Sequence, residues 1–190
     1  MSESFGPLVA LDLDGTLVRG NTLHIFFRCG LRQMMRRGRI ARLGRSLALL
    51  AARKAGLVSH VDMKFGIFGL IERDERLCRE FAEAVNGRLN GKVKDMVDGY
   101  ASAGCRVLLA TAAPAQYVPL IWKGDFVATD MDVSRNPART ECRGEEKLKR
   151  VLEYASSNGL RLHAAISDDA VDDAPLLAAA EESVLVKKGC

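Results

Sequence analysis

The chain has 190 residues, 48% of them hydrophobic, and a formal net charge of +4. That is enough for one core with an inserted subdomain, and no apolar run reaches the length of a bilayer span. The five cysteines (Cys29, Cys78, Cys105, Cys142, Cys190) are odd in number and lack CxxC spacing. They argue against a disulfide framework or a thiolate zinc site and suit a reducing cytosol. Met1–Ser4 lacks a basic leader followed by an apolar stretch, so a cytoplasmic location is expected.

Leu8–Leu11 reads as a buried strand. Val18-Arg19-Gly20-Asn21 leaves it, with Asn21 or Thr22 capping a helix. Leu23, Phe26, Phe27 and Leu31 share one face of that helix, which ends near Gly38. Ile40, Leu43, Leu47 and Leu50 repeat at spacings of three and four along a second, closed by Gly56. Ser59 with Asp62 caps a third, and Asp74 caps a fourth carrying Leu77, Phe81 and Val85. Val93, Met96, Val97 and Tyr100 mark a fifth, ending at Gly104. The pattern then changes. Strands at Arg106–Ala110, Phe126–Ala128, Leu162–Ile166 and Ser183–Val186 alternate with helices at Glu145–Ser157 and after Asp173. Alternation of this kind predicts a parallel sheet covered by helices, into which the helical block is inserted.

Chemistry gathers at the strand ends, where open α/β sheets bind ligands. Asp12 and Asp14 stand one residue apart at the end of the first strand, followed by Gly15 and Thr16. Carboxylates there require compensation, and a hard cation such as Mg²⁺ takes oxygen ligands. Thr111, at the end of the second strand, suits either a phosphate oxygen or a helix cap. Lys147 opens the helix after Gly144, with Lys149 as its competitor and Leu148, Val151 and Leu152 on the core face. Asp168, Asp169, Asp172 and Asp173 crowd one strand end and again imply a cation.

Asp12-Leu13-Asp14-Gly15-Thr16 resembles the first motif of the haloacid-dehalogenase-like (HAD) superfamily. Thr111, Gly144-Glu145-Glu146-Lys147 and Ser167–Asp173 resemble its second, third and fourth motifs, in order across the whole chain. The inserted helices resemble the C1-type cap of the phosphoserine-phosphatase-like branch, subfamily IB. The basic first helices, Cys142–Lys147 and the Asp-Ala-Pro-Leu-Leu ending are most similar to the phosphatidylglycerophosphatase C group. The resemblance implies an α/β fold: a HAD-like Rossmannoid parallel sheet over residues 1–19 and 104–190, with a helical cap over 20–103. It implies Asp12 as nucleophile through an aspartyl-phosphate, and Asp14 as acid and base. Thr111 and Lys147 would hold the phosphoryl group, with Asp173 orienting Lys147. Mg²⁺ would be held by Asp12, the Asp14 carbonyl and Asp169. Placing Asp169 and Asp173 on the family aspartates aligns Pro175-Leu176-Leu177 without a gap. A longer-spaced variant would use Asp168 with Asp173, and Asp168 stays open as a ligand.

The implied activity is a phosphomonoester hydrolase. Its substrate would be a lipid phosphate such as phosphatidylglycerophosphate or a small soluble phosphomonoester. A phosphotransferase, or a membrane- or nucleic-acid-binding protein with a vestigial site, are the alternatives. Serine-specific relatives place a Glu nine residues after the nucleophile. Here that residue is Asn21, so phosphoserine is not expected to be preferred. From Gly15 to Val61 there is no Asp or Glu, while Arg28, Arg32, Arg36, Arg37, Arg39, Arg42, Arg45, Arg53 and Lys54 recur. With Leu23, Phe26, Phe27, Leu47, Leu49 and Leu50 in the same segment, this predicts peripheral contact with an anionic membrane. Nucleic acid is not expected, because aromatic residues are not interleaved with these charges.

Overall fold

The computed structural model describes residues 5–187; Met1–Ser4 and Cys190 lie outside the described residues. Five strands form one parallel sheet in the order β3-β2-β1-β4-β5. They are β1 (Gly6–Leu11), β2 (Arg106–Pro114), β3 (Asp125–Thr129), β4 (Leu160–Ser167) and β5 (Glu182–Leu185). The central position of β1 explains its unbroken apolar sequence, because both of its faces are covered. Val9 and Leu11 point to one core and Leu8 and Ala10 to the other. The second core is closed by α6 (Glu145–Ser157) and α7 (Ala174–Ala179), through Val151, Ala155 and Leu176. Leu152, expected on the core face of α6, is instead 44% exposed. The face that meets the sheet is Lys147, Val151 and Ala155, at spacings of four.

Between β1 and β2 run five helices: α1 (Thr22–Arg36), α2 (Ile40–Lys54), α3 (His60–Leu70), α4 (Glu75–Asn86) and α5 (Gly91–Ser102). Asn21, Ser59 and Asp74 cap α1, α3 and α4 with side-chain oxygens, as their sequence context predicts. The first four helices pack on one another, whereas α5 lies against β2. Phe26, Phe68 and Phe81 meet Tyr117 of the segment after β2, with the Phe26 and Tyr117 rings 5.1 Å apart. The two connections to the helical insert are tied together. Arg19 N–H donates to Arg88 O at 2.8 Å, and Asn90 N–H donates to Leu17 O at 2.8 Å.

One helix departs from the usual orientation. Of the apolar repeat of α2 only Leu43 packs against the core: Ile40 is 68%, Leu47 52% and Leu50 37% exposed. Its buried residue is Ser46, whose hydroxyl donates to Arg42 O at 2.9 Å. The helix thus turns Ser46 inward between Leu43 and Leu49, which pack against the core, and leaves Ile40, Leu47 and Leu50 outside.

Candidate active site

The site is built at the carboxyl ends of β1, β2 and β4. Asp12 follows β1 and is 6% exposed, with its N–H donating to Ile166 O of β4 at 2.9 Å. The chain then turns sharply. Gly15 has φ +86, and its N–H donates to Val18 O at 2.8 Å. A side chain there would be strained, and a Cβ would overlap the Asp168 carboxylate.

Lys147, in the first turn of α6, reaches down beside Asp12. Its Nζ lies 2.9 Å from Asp12 Oδ1 and 2.9 Å from Asp173 Oδ2. All three side chains are buried. Asp173 Oδ2 also accepts from Ser167 Oγ at 2.6 Å, which ties the arrangement to β4. Burying the ammonium alone would lower its pKa, but Asp12 and Asp173 outweigh that and raise it, so Lys147 stays charged. Burial pushes the Asp12 carboxyl up to about 7, against the opposing pull of Lys147. One ammonium therefore does not fully compensate the burial of this carboxylate. Lys149 is exposed and takes no part.

Thr16 links Asp12 to the acidic cluster after β4. Its hydroxyl lies 3.1 Å from Asp12 Oδ2 and 3.3 Å from Asp168 Oδ1, and accepts from Asp168 N–H at 2.9 Å. The Asp169 carboxylate lies in a different setting. Its Oδ1 accepts the N–H groups of Val171 and Asp172, both at 2.9 Å, and so organises its own turn. Among the described residues no three His, Cys, Asp or Glu side chains converge as a metal cage. What the loops offer a hard cation is the carboxylates of Asp12 and Asp168, with the backbone beside Gly15.

Asp14 is held by the next helix. Its Oδ1 accepts from Thr22 N–H at 2.6 Å, and Thr22 Oγ1 lies 2.9 Å from the hydroxyl of the fully buried Tyr117. Burial raises the Asp14 pKa, with the Thr22 hydrogen bonds pulling the other way. A carboxyl that retains its proton more readily is suited to giving one up to a leaving oxygen. Thr111 is buried within β2, which extends through Pro114 rather than ending at Ala110 as its apolar run predicts. Its Oγ1 accepts from Ala113 N–H at 3.0 Å.

These loops floor a cleft of about 650 Å³, which Asp12, Asp14, Lys147, Asp168, Asp169 and Asp173 all line. Thr111 sits beneath its wall, where Ala112 and Ala113 form the surface. The helical insert supplies the opposite side, including Asn21, Leu23, His60 and Lys64. Lys64 is a residue that the sequence reading missed. It is 3% exposed, donates to Ala112 O at 2.7 Å and pairs with Glu141 from the loop before α6. The signal available was one lysine within the apolar run of α3.

The haloacid dehalogenase-like hydrolase family model matches residues 9–178. No curated protein matches the chain in sequence. Among solved structures, a protein of unknown function from Bordetella pertussis Tohama I aligns over 96% of this chain and 90% of its own, with 20% identity and a TM-score of 0.68. A HAD family hydrolase from Salmonella enterica serovar Typhi aligns over 93% of this chain and 61% of its own, with 11% identity and a TM-score of 0.63. A phosphoserine phosphatase, captured as an analogue of its phospho-aspartyl intermediate, aligns over 96% of this chain and 87% of its own, with 13% identity and a TM-score of 0.56. At these identities the likeness is one of fold.

Proposed function

This chain belongs to the haloacid dehalogenase-like hydrolase family, and from that premise we propose that it is a Mg²⁺-dependent phosphomonoesterase. The observation that carries this reading is the buried triad of Asp12, Lys147 and Asp173, with Asp14 two residues from Asp12. A carboxylate fixed against an ammonium at the floor of a cleft is placed to attack phosphorus.

In the first half-reaction an Asp12 carboxylate oxygen bonds to phosphorus as the ester P–O bond breaks. Asp14 gives its proton to the departing alkoxide. In the second half, Asp14 takes a proton from water, whose oxygen attacks the aspartyl-phosphate. Orthophosphate leaves, and Asp12 is regenerated. Lys147 offsets charge on the phosphoryl oxygens, and Asp173 holds it in place. The backbone of Ala112 and Ala113 forms the wall against the phosphoryl group, with Thr111 buried beneath it. Mg²⁺, when bound, offsets the charge of the nucleophile and the transferring group. The oxygen donors suit that ion, and the burial of Asp12 beside a single ammonium supports a second cation there. Asp12, the Asp14 carbonyl and Asp168 would hold it, an assignment supported by the shared contact with Thr16. Asp169 is the other candidate ligand, favoured by the gapless alignment.

The leaving alcohol would lie against Asn21, Leu23, His60 and Lys64. We take α1–α4 as the cap over it, with α5 belonging to the sheet. Among substrates we favour a lipid phosphate, phosphatidylglycerophosphate being the one the subfamily resemblance suggests. The support is the acid-free, basic stretch of the cap. The test is turnover of p-nitrophenyl phosphate with and without Mg²⁺. Wild type should require the ion, and Asp12→Asn should lose at least about a thousandfold while keeping its circular dichroism spectrum. Undiminished turnover by that variant would remove Asp12 as nucleophile.

A further inference from the structure

We propose that the solvent-facing side of α2, with the turn that follows it, docks this protein on an anionic membrane surface. Helix α2 is amphipathic, but its apolar stripe of Ile40, Leu47 and Leu50 faces solvent, and Leu57 beyond it is 79% exposed. Gly44, Ala48 and Ala51 fill the same side of the helix and are exposed too. Large apolar side chains gathered on one exposed helix face mark an interaction surface rather than scattered surface residues.

Charge selects the partner. Arg39 and Arg42 turn to Glu72 of the insert. Arg45, Arg53 and Lys54 are exposed and form no ion pair among the described residues. No acid lies between Gly15 and Val61 to balance them. A second copy of this chain would bring like charges together across a symmetric contact, which opposes self-association. Nucleic acid would have no use for an exposed leucine stripe. A bilayer of anionic phospholipid takes both, with leucines at the acyl boundary and cations among the headgroups.

The placement also serves the cleft. His60 lines it and lies three residues after Leu57. Burial lowers the His60 pKa, and Arg53 is among the cations close enough to lower it further. Helix α2 ends at Lys54, six residues before His60, so the turn between α2 and α3 leads into the cleft. A phosphate head presented by the bilayer would enter beside it. This use of the surface rests on the phosphatase reading, whereas membrane binding itself does not.

The experiment is co-sedimentation of the full chain with vesicles of phosphatidylcholine alone or mixed with phosphatidylglycerol. Wild type should bind the mixed vesicles and leave the neutral ones. Leu47→Glu/Leu50→Glu should weaken that binding at least about tenfold. Arg45→Gln/Arg53→Gln should weaken it by about fivefold for each charge removed. Both variants should keep the wild-type circular dichroism spectrum and p-nitrophenyl phosphate turnover. Asp12→Asn should bind vesicles like wild type, so a failed nucleophile assignment leaves the docking result standing. Absence of binding to anionic vesicles at low salt would overturn the proposal. So would binding that the leucine variant leaves intact, or a dimer in light scattering that the same variant dissolves.

Discussion

Asp168 N–H donates to Thr16 Oγ1 at 2.9 Å, and that hydroxyl lies 3.1 Å from Asp12 Oδ2. One side chain thus stands between the proposed nucleophile and the first aspartate after β4. Under the proposed function, a cation shared by Asp12 and a second carboxylate would be met by Asp168, which contacts the same hydroxyl. Asp169, by contrast, already accepts two backbone N–H groups in its own turn. Asp168→Ala should therefore raise the Mg²⁺ concentration for half-maximal activity by about tenfold or more, and Asp169→Ala by less. A Mg²⁺ titration of turnover measures both. The reverse ranking would return the ligand to Asp169, as the gapless alignment has it.

The two lysines of α6 should separate in stability as sharply as they do in burial. Lys147 is the one ammonium between Asp12 and Asp173, and all three are buried. Replacing it with Met leaves two buried carboxylates without their partner, at a cost of about 3 kcal/mol or more. Lys149 is exposed, and Lys149→Met should stay within about 0.5 kcal/mol of wild type. Urea unfolding at pH 7 reads both, and equal losses would mean that the triad contributes nothing to the fold.

Much of this was legible in the sequence, for reasons that vary by element. The bounds of α6 follow from its motif and its periodicity, and Asn21, Ser59 and Asp74 announce three helix starts through their side-chain chemistry. The end of β2 was not legible, because Thr111-Ala112-Ala113-Pro114 has the composition of a helix start, and its pairing with β3 shifts register after Ala110 and resumes at Pro114 with Thr129. Periodicity located α2 but not its orientation. A stripe of Ile40, Leu43, Leu47 and Leu50 reads the same whether it meets a core or a membrane. The pairing of Arg36 with Glu80, or of Arg42 with Glu72, depends on helices brought together by the fold. Lys64 could have been noticed as a charge inside an apolar helix, yet its partner Glu141 lies 77 residues away. The choice between Asp168 and Asp169 has the same character. Spacing permits either, and the contact of Thr16 with Asp168 arises only once β1 and β4 are adjacent.

Substrate preference can be tested at Asn21. This side chain caps α1, its Oδ1 accepting from His24 N–H at 3.1 Å, and it lines the cleft. It carries no charge with which to hold the amine of phosphoserine. Phosphoserine should therefore be hydrolysed no faster than phosphomonoesters that lack an amine. A panel of phospho-amino acids, sugar phosphates and phosphatidylglycerophosphate, assayed by phosphate release, would show this. A phosphoserine rate far above all the others would reject it.

The last prediction concerns acid stability and the joint between α1 and α4. Glu80 accepts from Arg36 Nη1 at 2.6 Å and from Arg76 Nε at 3.0 Å. The hydrogen bond from Arg36, then that from Arg76, lowers its pKa from 4.5 to about 2. Because the folded pKa is the lower one, the unfolded chain binds the proton first as pH falls. The stabilisation is complete above 4.5 and drains away as pH drops through the window to about 2. Glu80→Gln removes the titrating group and leaves a neutral side chain of the same shape. The variant should be less stable than wild type at pH 7, and most of the gap should close as pH falls toward 2, where the unfolded Glu80 is neutral and the folded one is half protonated. Asp130, lowered to about 2 by Arg135, contributes a similar acid slope to both proteins and cancels from the comparison. Thermal or urea midpoints measured from pH 7 down to about 2 give the two curves. If they run parallel throughout, Glu80 does not couple α1 to α4 through its charge.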